Sequence, residues 1–93
     1  MKFETIYVLE PSRVQEDYEK FNKDLKIFIN QNGAVISAEI WGERLLAYPI
    51  KKHNKGCYGQ AIFETENEDF TSKLNEFYDT NEIVIKHIIV KIG

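Results

Sequence analysis

Lys51, Lys52, His53 and Lys55 fall within five residues, and Arg44 stands seven positions upstream. A cluster of that kind could neutralise the phosphates of a nucleic acid. Lys2 and Lys86 are further cations outside the acidic part of the chain, where Glu64 to Glu82 holds seven acids against the single base Lys73. One side of the molecule should therefore attract phosphate and another repel it. The formal net charge is −3, so bulk charge alone cannot drive binding to RNA. The remaining groups suited to proton transfer or nucleophilic attack are His53, His87 and Cys57. His53 reads as a solvated residue of a loop tip, His87 as a packed or partner-facing strand residue, and Cys57 as a small side chain at the start of a strand.

Enzymatic chemistry finds little to work with. There is no Gly-x-Ser-x-Gly, no His-Glu-x-x-His, no phosphate-binding glycine loop and no paired cysteines. One cysteine forms no internal disulfide, and two distant histidines give no metal-ligand spacing. Neither a metal nor another cofactor is expected. Lys55-Gly56-Cys57-Tyr58-Gly59-Gln60-Ala61-Ile62-Phe63 resembles the third strand of an RNA-recognition motif. That module stacks bases on aromatics at its third and fifth positions, which here are Cys57 and Gly59. Tyr58 must point to the opposite face of the strand, so a base-stacking platform is not expected.

These groups have to be positioned by regular elements, which the apolar periodicity locates. Phe3 to Leu9 is apolar in both alternation sets, as an interior strand is. Ser12 and Gln15 have capping-box spacing. Val14, Tyr18, Phe21, Leu25, Phe28 and Ile29 then make a helical stripe that ends near Asn32-Gly33, with Gly33 predicted in a left-handed C-terminal turn. Ala34 to Trp41 alternates, with Ala34, Ile36, Ala38 and Ile40 on one face. The chain is expected to bend at Gly42, run extended through Tyr48-Pro49, turn at His53 to Gly56 and return as a strand from Tyr58 to Glu64. Pro49 cannot donate to a ladder, which suits an edge strand. Thr65 and Glu68 suggest a second capping box with acids in the first helical turn, Phe70, Leu74, Phe77 and Tyr78 a second stripe, and Ile83 to Ile92 the last strand.

The order strand, helix, strand, strand, helix, strand folds most simply into a ferredoxin-like α+β sandwich. Four antiparallel strands stand in the order 4-1-3-2, with both helices on one face. Residues 1–93 make one domain. No apolar stretch approaches membrane-spanning length, and Met1-Lys2-Phe3-Glu4 leads directly into strand residues, which reads as a cytoplasmic protein with no membrane partner.

Gly42-Glu43-Arg44 followed by Leu46-Ala47-Tyr48-Pro49-Ile50 and Lys51-Lys52 resembles the signature of the bacterial small-subunit ribosomal protein S6 family. Phe3-Glu4-Thr5, Leu9, Pro11, Gly33, Trp41 and Val84-Ile85-Lys86-His87 extend the resemblance over nearly the whole chain. It implies a ferredoxin-like fold with no catalytic activity and no cofactor. It also implies a structural component of the small ribosomal subunit that binds small-subunit ribosomal RNA as a heterodimer with small-subunit ribosomal protein S18. On that basis Arg44, Lys51 and Lys52, with Lys2 and Lys86 as further candidates, would contact phosphates, and Trp41 and Tyr48 would dock the protein partner. Glu43 and Leu45 depart from relatives that carry a second base beside the arginine, so phosphate contact there should be thinner.

A different class of function stands beside this one: a small-molecule-binding regulatory domain, or one that handles acyl phosphates. For acyl-phosphate chemistry the loop Glu10-Pro11-Ser12-Arg13 would have to hold an oxyanion. Pro11 removes a donor from it and Glu10 repels an anion.

Overall fold

The computed structural model of the protein covers residues 1–93. Its elements are β1 (Lys2–Leu9), α1 (Gln15–Asn30), β2 (Ala34–Ile50), β3 (His53–Glu64), α2 (Phe70–Asp79) and β4 (Val84–Lys91). The strands form one antiparallel sheet in the order β2-β3-β1-β4, which is the predicted 4-1-3-2 order read from the other edge. β1 lies between β3 and β4, and its alternation sorts the sheet into two faces. Phe3, Thr5, Tyr7 and Leu9 are buried against the helices, whereas Glu4, Ile6 and Val8 belong to the open face.

The core lies between the sheet and two amphipathic helices. α1 contributes Tyr18, Phe21, Leu25 and Ile29, and α2 contributes Phe70, Leu74 and Tyr78. Aromatic ring centroids link the elements: Tyr7 lies 4.9 Å from Phe21 and Phe63 meets Phe70 edge-on at 5.5 Å between sheet and helices, and Phe28 lies 4.7 Å from Phe77 between the two helices. Each such pair is worth about 0.5–1.5 kcal/mol beyond the area it buries. The buried Thr5 hydroxyl is satisfied by the Tyr78 hydroxyl and the Ile88 carbonyl, both at 2.8 Å.

Several local expectations are corrected. Neither capping box forms. Val14 is the N-cap residue of α1, has no side-chain hydrogen bond and is exposed rather than part of the buried stripe. Ser12 sits at φ 65°. The entry to α1 is fixed instead by the Tyr18 hydroxyl, which accepts from the Arg13 N–H and donates to the Glu10 carbonyl. A side chain of the helix's first turn thus ties down the loop that leads into it.

At α2 the N-cap is Asp69, again without a side-chain bond, and no acid falls in the first helical turn. The Thr65 hydroxyl donates to the Asn32 carbonyl and accepts from the Asn67 N–H, lacing the end of α1 to the approach to α2. Gly33 is not left-handed, since Gly42 is the only glycine at positive φ. A side chain at Gly33 would instead collide with the Glu64 carbonyl oxygen, so its role is close backbone approach.

β2 also differs from its simple alternation. An extra residue between Val35 and Ser37 shifts the register, so Val35, Ala38 and Ile40 pack on the core while Ile36 is half exposed. A single inserted residue exchanges the two faces of a strand. The strand does not end at Trp41. It passes through a second bulge at Gly42, at φ 97°, and continues to Ile50. The expected bend at Gly42 is thus present, and Pro49 lies in an edge strand as its missing donor requires.

Gly59 is held as glycine by packing. A Cβ there would fall on the ring and hydroxyl of Tyr7, which is fully buried. Gly59→Ala is expected to destabilise the fold by about 1–3 kcal/mol, the usual cost of overpacking, as read by urea unfolding. A neutral substitution would place the Tyr7 ring elsewhere.

Candidate nucleic-acid and partner interface

The hairpin between β2 and β3 turns at Lys51-Lys52, earlier than the His53–Gly56 segment suggests. Ile50 pairs with His53, so only two residues form the turn, and both are at positive φ, 49° and 69°. A tight two-residue turn of the type I′ class needs that backbone, which Asn-Gly normally supplies. Lysine there is strained, at about 1–2 kcal/mol per residue. His53 is consequently the first residue of β3 and half-buried, not a solvated tip residue.

Below the tip the ladder is interrupted. Leu45 pairs with Lys55 and the next pair is Ile50 with His53, so Leu46, Ala47, Tyr48 and Pro49 have no partners on β3. Extra residues on one strand bend it. The arm therefore folds over the end of the sheet. Leu46, Ala47, Tyr48 and Ile50 line a shallow depression with Tyr58 and Lys86. Lys51 lines the adjoining one with Asp79, Val84, Ile85, Lys86 and His87.

The sequence-predicted cations are thus partly brought together. Lys51 and Lys86 share a lining, and Lys52 stands exposed beside Lys51 at the tip. Arg44 is exposed and pairs with Gly56 on the open-face register of the arm's root. Lys2 is not part of this group. It pairs with Glu64 at the opposite end of β1, on the order of 20 Å away along the strand at about 3.3 Å per residue. Lys55 is held by Glu43, with 3.6 Å between Nζ and Oε1.

Trp41 sits at the Ile40/Gly42 bulge, is 38 % exposed and stands outside the core. Tyr48 is 82 % exposed. Both lie on β2, which pairs only with β3 and leaves its outer edge free. The open face adds an apolar hollow formed by Ile6, Val8, Tyr58 and Ile88, with Lys86 and His87 at its rim.

The competing chemistries meet occupied ground. Cys57 and Gly59 face the helices, with Cys57 buried and Gly59 covered by Tyr7, so the third and fifth positions of a base-stacking strand are inside the core. Tyr7 on the neighbouring strand β1 is buried with them. Burial pushes the Cys57 thiol up, and the charge of Glu43 pushes it further, which leaves it a poor nucleophile.

In the Glu10–Arg13 loop the Ser12 N–H donates to Glu43 Oε2 at 2.8 Å and the Arg13 N–H to the Tyr18 hydroxyl. The Arg13 guanidinium pairs with Glu10 and Asp17. The Ser12 and Arg13 backbone donors of this loop are thus already engaged within the protein. His87 stacks on Tyr78 at 4.5 Å and lies 2.9 Å from Asn75 Oδ1, a packed side chain.

Sequence reasoning missed two features of this site. One is the junction of Lys51 with Lys86, which depends on how far the arm bends. The other is the engagement of Glu43 with Ser12 and Lys55. Tyr58 on the open face was legible, since it alternates with the buried Cys57 and Gly59.

Residues 2–91 match the family described as ribosomal protein S6. Small ribosomal subunit protein bS6 of Clostridium kluyveri is 38% identical over 91 residues, covering 97% of this chain and 95% of that protein. The bS6 of Fusobacterium nucleatum is 37% identical over 94 residues, with coverages of 97% and 96%. The crystal structure of 30S ribosomal protein S6 from Thermotoga maritima superposes with a TM-score of 0.91 at 25% identity, covering 98% of this chain and 86% of that one. A 5-chloro-2-hydroxyhydroquinone dehydrochlorinase from Burkholderia phenoliruptrix has a TM-score of 0.56 at 13% identity, a likeness of fold alone. No helix is long and apolar enough to cross a membrane.

Proposed function

The chain belongs to the ribosomal protein S6 family, whose members are structural, non-enzymatic constituents of the small ribosomal subunit, and from that premise we propose that it binds small-subunit ribosomal RNA cooperatively, as a heterodimer with small-subunit ribosomal protein S18. Its place of work is then the ribosome in the cytoplasm. The observation that supports this reading most is the bent β2–β3 arm, which gathers Lys51, Lys52 and Lys86 at one end of the sheet with Arg44 at its root.

The arm supplies point charges on a stiff support. Lysine contacts of this kind position a protein on the phosphate backbone without reading sequence. Two lysines held at positive φ, where Asn-Gly would be more stable, are a choice against stability, and strain of that kind concentrates at functional sites. Lys2 at the far end of β1 can engage RNA only as a separate, weaker contact.

We assign the protein partner to the outer edge of β2, which has no neighbouring strand and carries the exposed rings of Trp41 and Tyr48. An edge offers main-chain hydrogen bonds, and aromatics provide the anchoring pockets that dominate protein interfaces. A basic partner would also offset the net charge of −3.

Replacing Lys51-Lys52 by Asn-Gly separates the two costs of the tip. The double variant is expected to raise the unfolding free energy by about 1–2 kcal/mol. It should lower the salt slope of RNA binding by the heterodimer by roughly one to two units, about 0.9 for each phosphate no longer neutralised. Unchanged slope and affinity would mean that the tip is solvated and nothing more.

Trp41→Ala tests the edge. The heterodimer should lose about 2 kcal/mol or more of affinity, while the isolated chain loses about 1 kcal/mol or less of stability because the ring is outside the core. Calorimetric titration with S18 and urea unfolding of the same variant measure both. A stable variant with full partner affinity removes Trp41 from the interface.

A further inference from the structure

An acid next to a phosphate-binding arginine ordinarily weakens the site by repulsion. Glu43, immediately before Arg44, is such an acid by sequence, but its geometry gives it another part. In the β2–β3 register Glu43 pairs with Cys57 on the helix-facing side, and Arg44 pairs with Gly56 on the open face, so the carboxylate points away from the arginine. Glu43 Oε2 accepts the Ser12 N–H at 2.8 Å, and Oε1 lies 3.6 Å from Lys55 Nζ. Ser12 is held at φ 65°, a conformation that serine keeps only when its surroundings fix it. A charge-assisted hydrogen bond therefore crosses from the β1–α1 loop to the point where the arm leaves the body of the sheet.

We propose that Glu43 is a positioning residue for RNA binding: it straps the β1–α1 loop to the root of the β2–β3 arm, fixing the direction in which Arg44 and the tip lysines are held, and it withdraws Lys55 from the set of phosphate contacts. This rests on the reading that the arm binds RNA.

The charged and titratable groups around Glu43 are Lys55 and Cys57 of β3, Tyr18 of α1, and Arg13 beside Tyr18 in the loop. Burial raises both Tyr18 and Cys57, with the charge of Glu43 adding to it, so both stay neutral while Glu43 titrates. The Ser12 amide holds the Glu43 carboxyl below the usual glutamate range; desolvation opposes it, and Lys55 adds a smaller lowering. A depressed carboxyl contributes fully above its unfolded value and loses that contribution as pH falls through the folded one. The strap is therefore closed at neutral pH.

Two measurements on the full chain test this. In the isolated protein, the Ser12 amide proton shift should follow a carboxyl titration below the ordinary glutamate range. Glu43→Ala should speed Ser12 amide exchange about tenfold, and Glu43→Gln, which keeps an acceptor oxygen, should preserve most of the protection. In the complex with S18, Glu43→Ala should weaken binding to small-subunit ribosomal RNA about tenfold, near the lower bound for one hydrogen bond to a charged group. The salt slope should not fall, because every phosphate keeps its cation.

Glu43→Gln should bind RNA within about twofold of the parent, and Lys55→Ala should leave the slope unchanged. Equal or tighter RNA binding by Glu43→Ala overturns the proposal, since that is the signature of simple repulsion. A Lys55→Ala slope lower by about 0.9 overturns the withdrawal of Lys55, and an unresponsive Ser12 amide overturns the strap itself. A parent complex that fails to bind RNA overturns the functional reading and with it the positioning role, while the Ser12 amide still decides whether the strap exists.

Discussion

β2 must pair along β3 while carrying more residues than β3 can match, and the three register shifts that result govern where the candidate site residues end up. The shift after Val35 turns Val35, Ala38 and Ile40 into the core, so that the edge strand is anchored by its own side chains. The second, at Gly42, needs the positive φ that glycine holds without strain. It sets the register in which Glu43 takes the helix-facing side and Arg44 the open face. The third releases Leu46 to Pro49 from pairing and lets the arm bend toward β4. Without any one of them, strand alternation would carry the residues beyond it to the other face.

Rigidity behind the arm comes from the central strand. β1 is paired on both sides, and Thr5, Tyr7 and Leu9 are fully buried beneath the helices. Gly59 is the contact point between β3 and the Tyr7 ring. A base-reading module would need aromatics projecting outward from the corresponding strands, whereas here Tyr7 projects inward and Cys57 and Gly59 lie beside it. The geometry that makes a tight core also removes these positions of β1 and β3 from any base-stacking platform.

The element order and the sheet topology were legible because each depends on periodicity over many residues. Phe21, Leu25 and Ile29 on α1, and Phe70, Leu74 and Tyr78 on α2, are buried as their spacing requires. What escaped was local. The Ser12 and Thr65 caps look sound in sequence, but the Ser12 N–H is taken by Glu43 from far along the chain, the neighbouring Arg13 N–H by Tyr18, and the Thr65 hydroxyl is spent on the Asn32 carbonyl. The turn at Lys51-Lys52 was hidden because lysine gives no left-handed signal, whereas Asn54 and Gly56 give a false one. Arg44, Lys51, Lys52, Trp41 and Tyr48 could be picked out by residue type and family resemblance. That Lys2 lies apart from them follows only from the antiparallel register with β3.

The proposed function rests on a division of labour: the chain would offer a few cations at the β2–β3 arm against a net charge of −3, and the partner would supply the rest of the electrostatic attraction. The direct measurement is the affinity for small-subunit ribosomal RNA, across a salt series, of the chain alone, of S18 alone and of the two mixed. Weak binding by the lone chain and tight, cooperative binding by the mixture are predicted. Submicromolar binding by the lone chain at physiological salt, or a mixture no tighter than its stronger component, would contradict it.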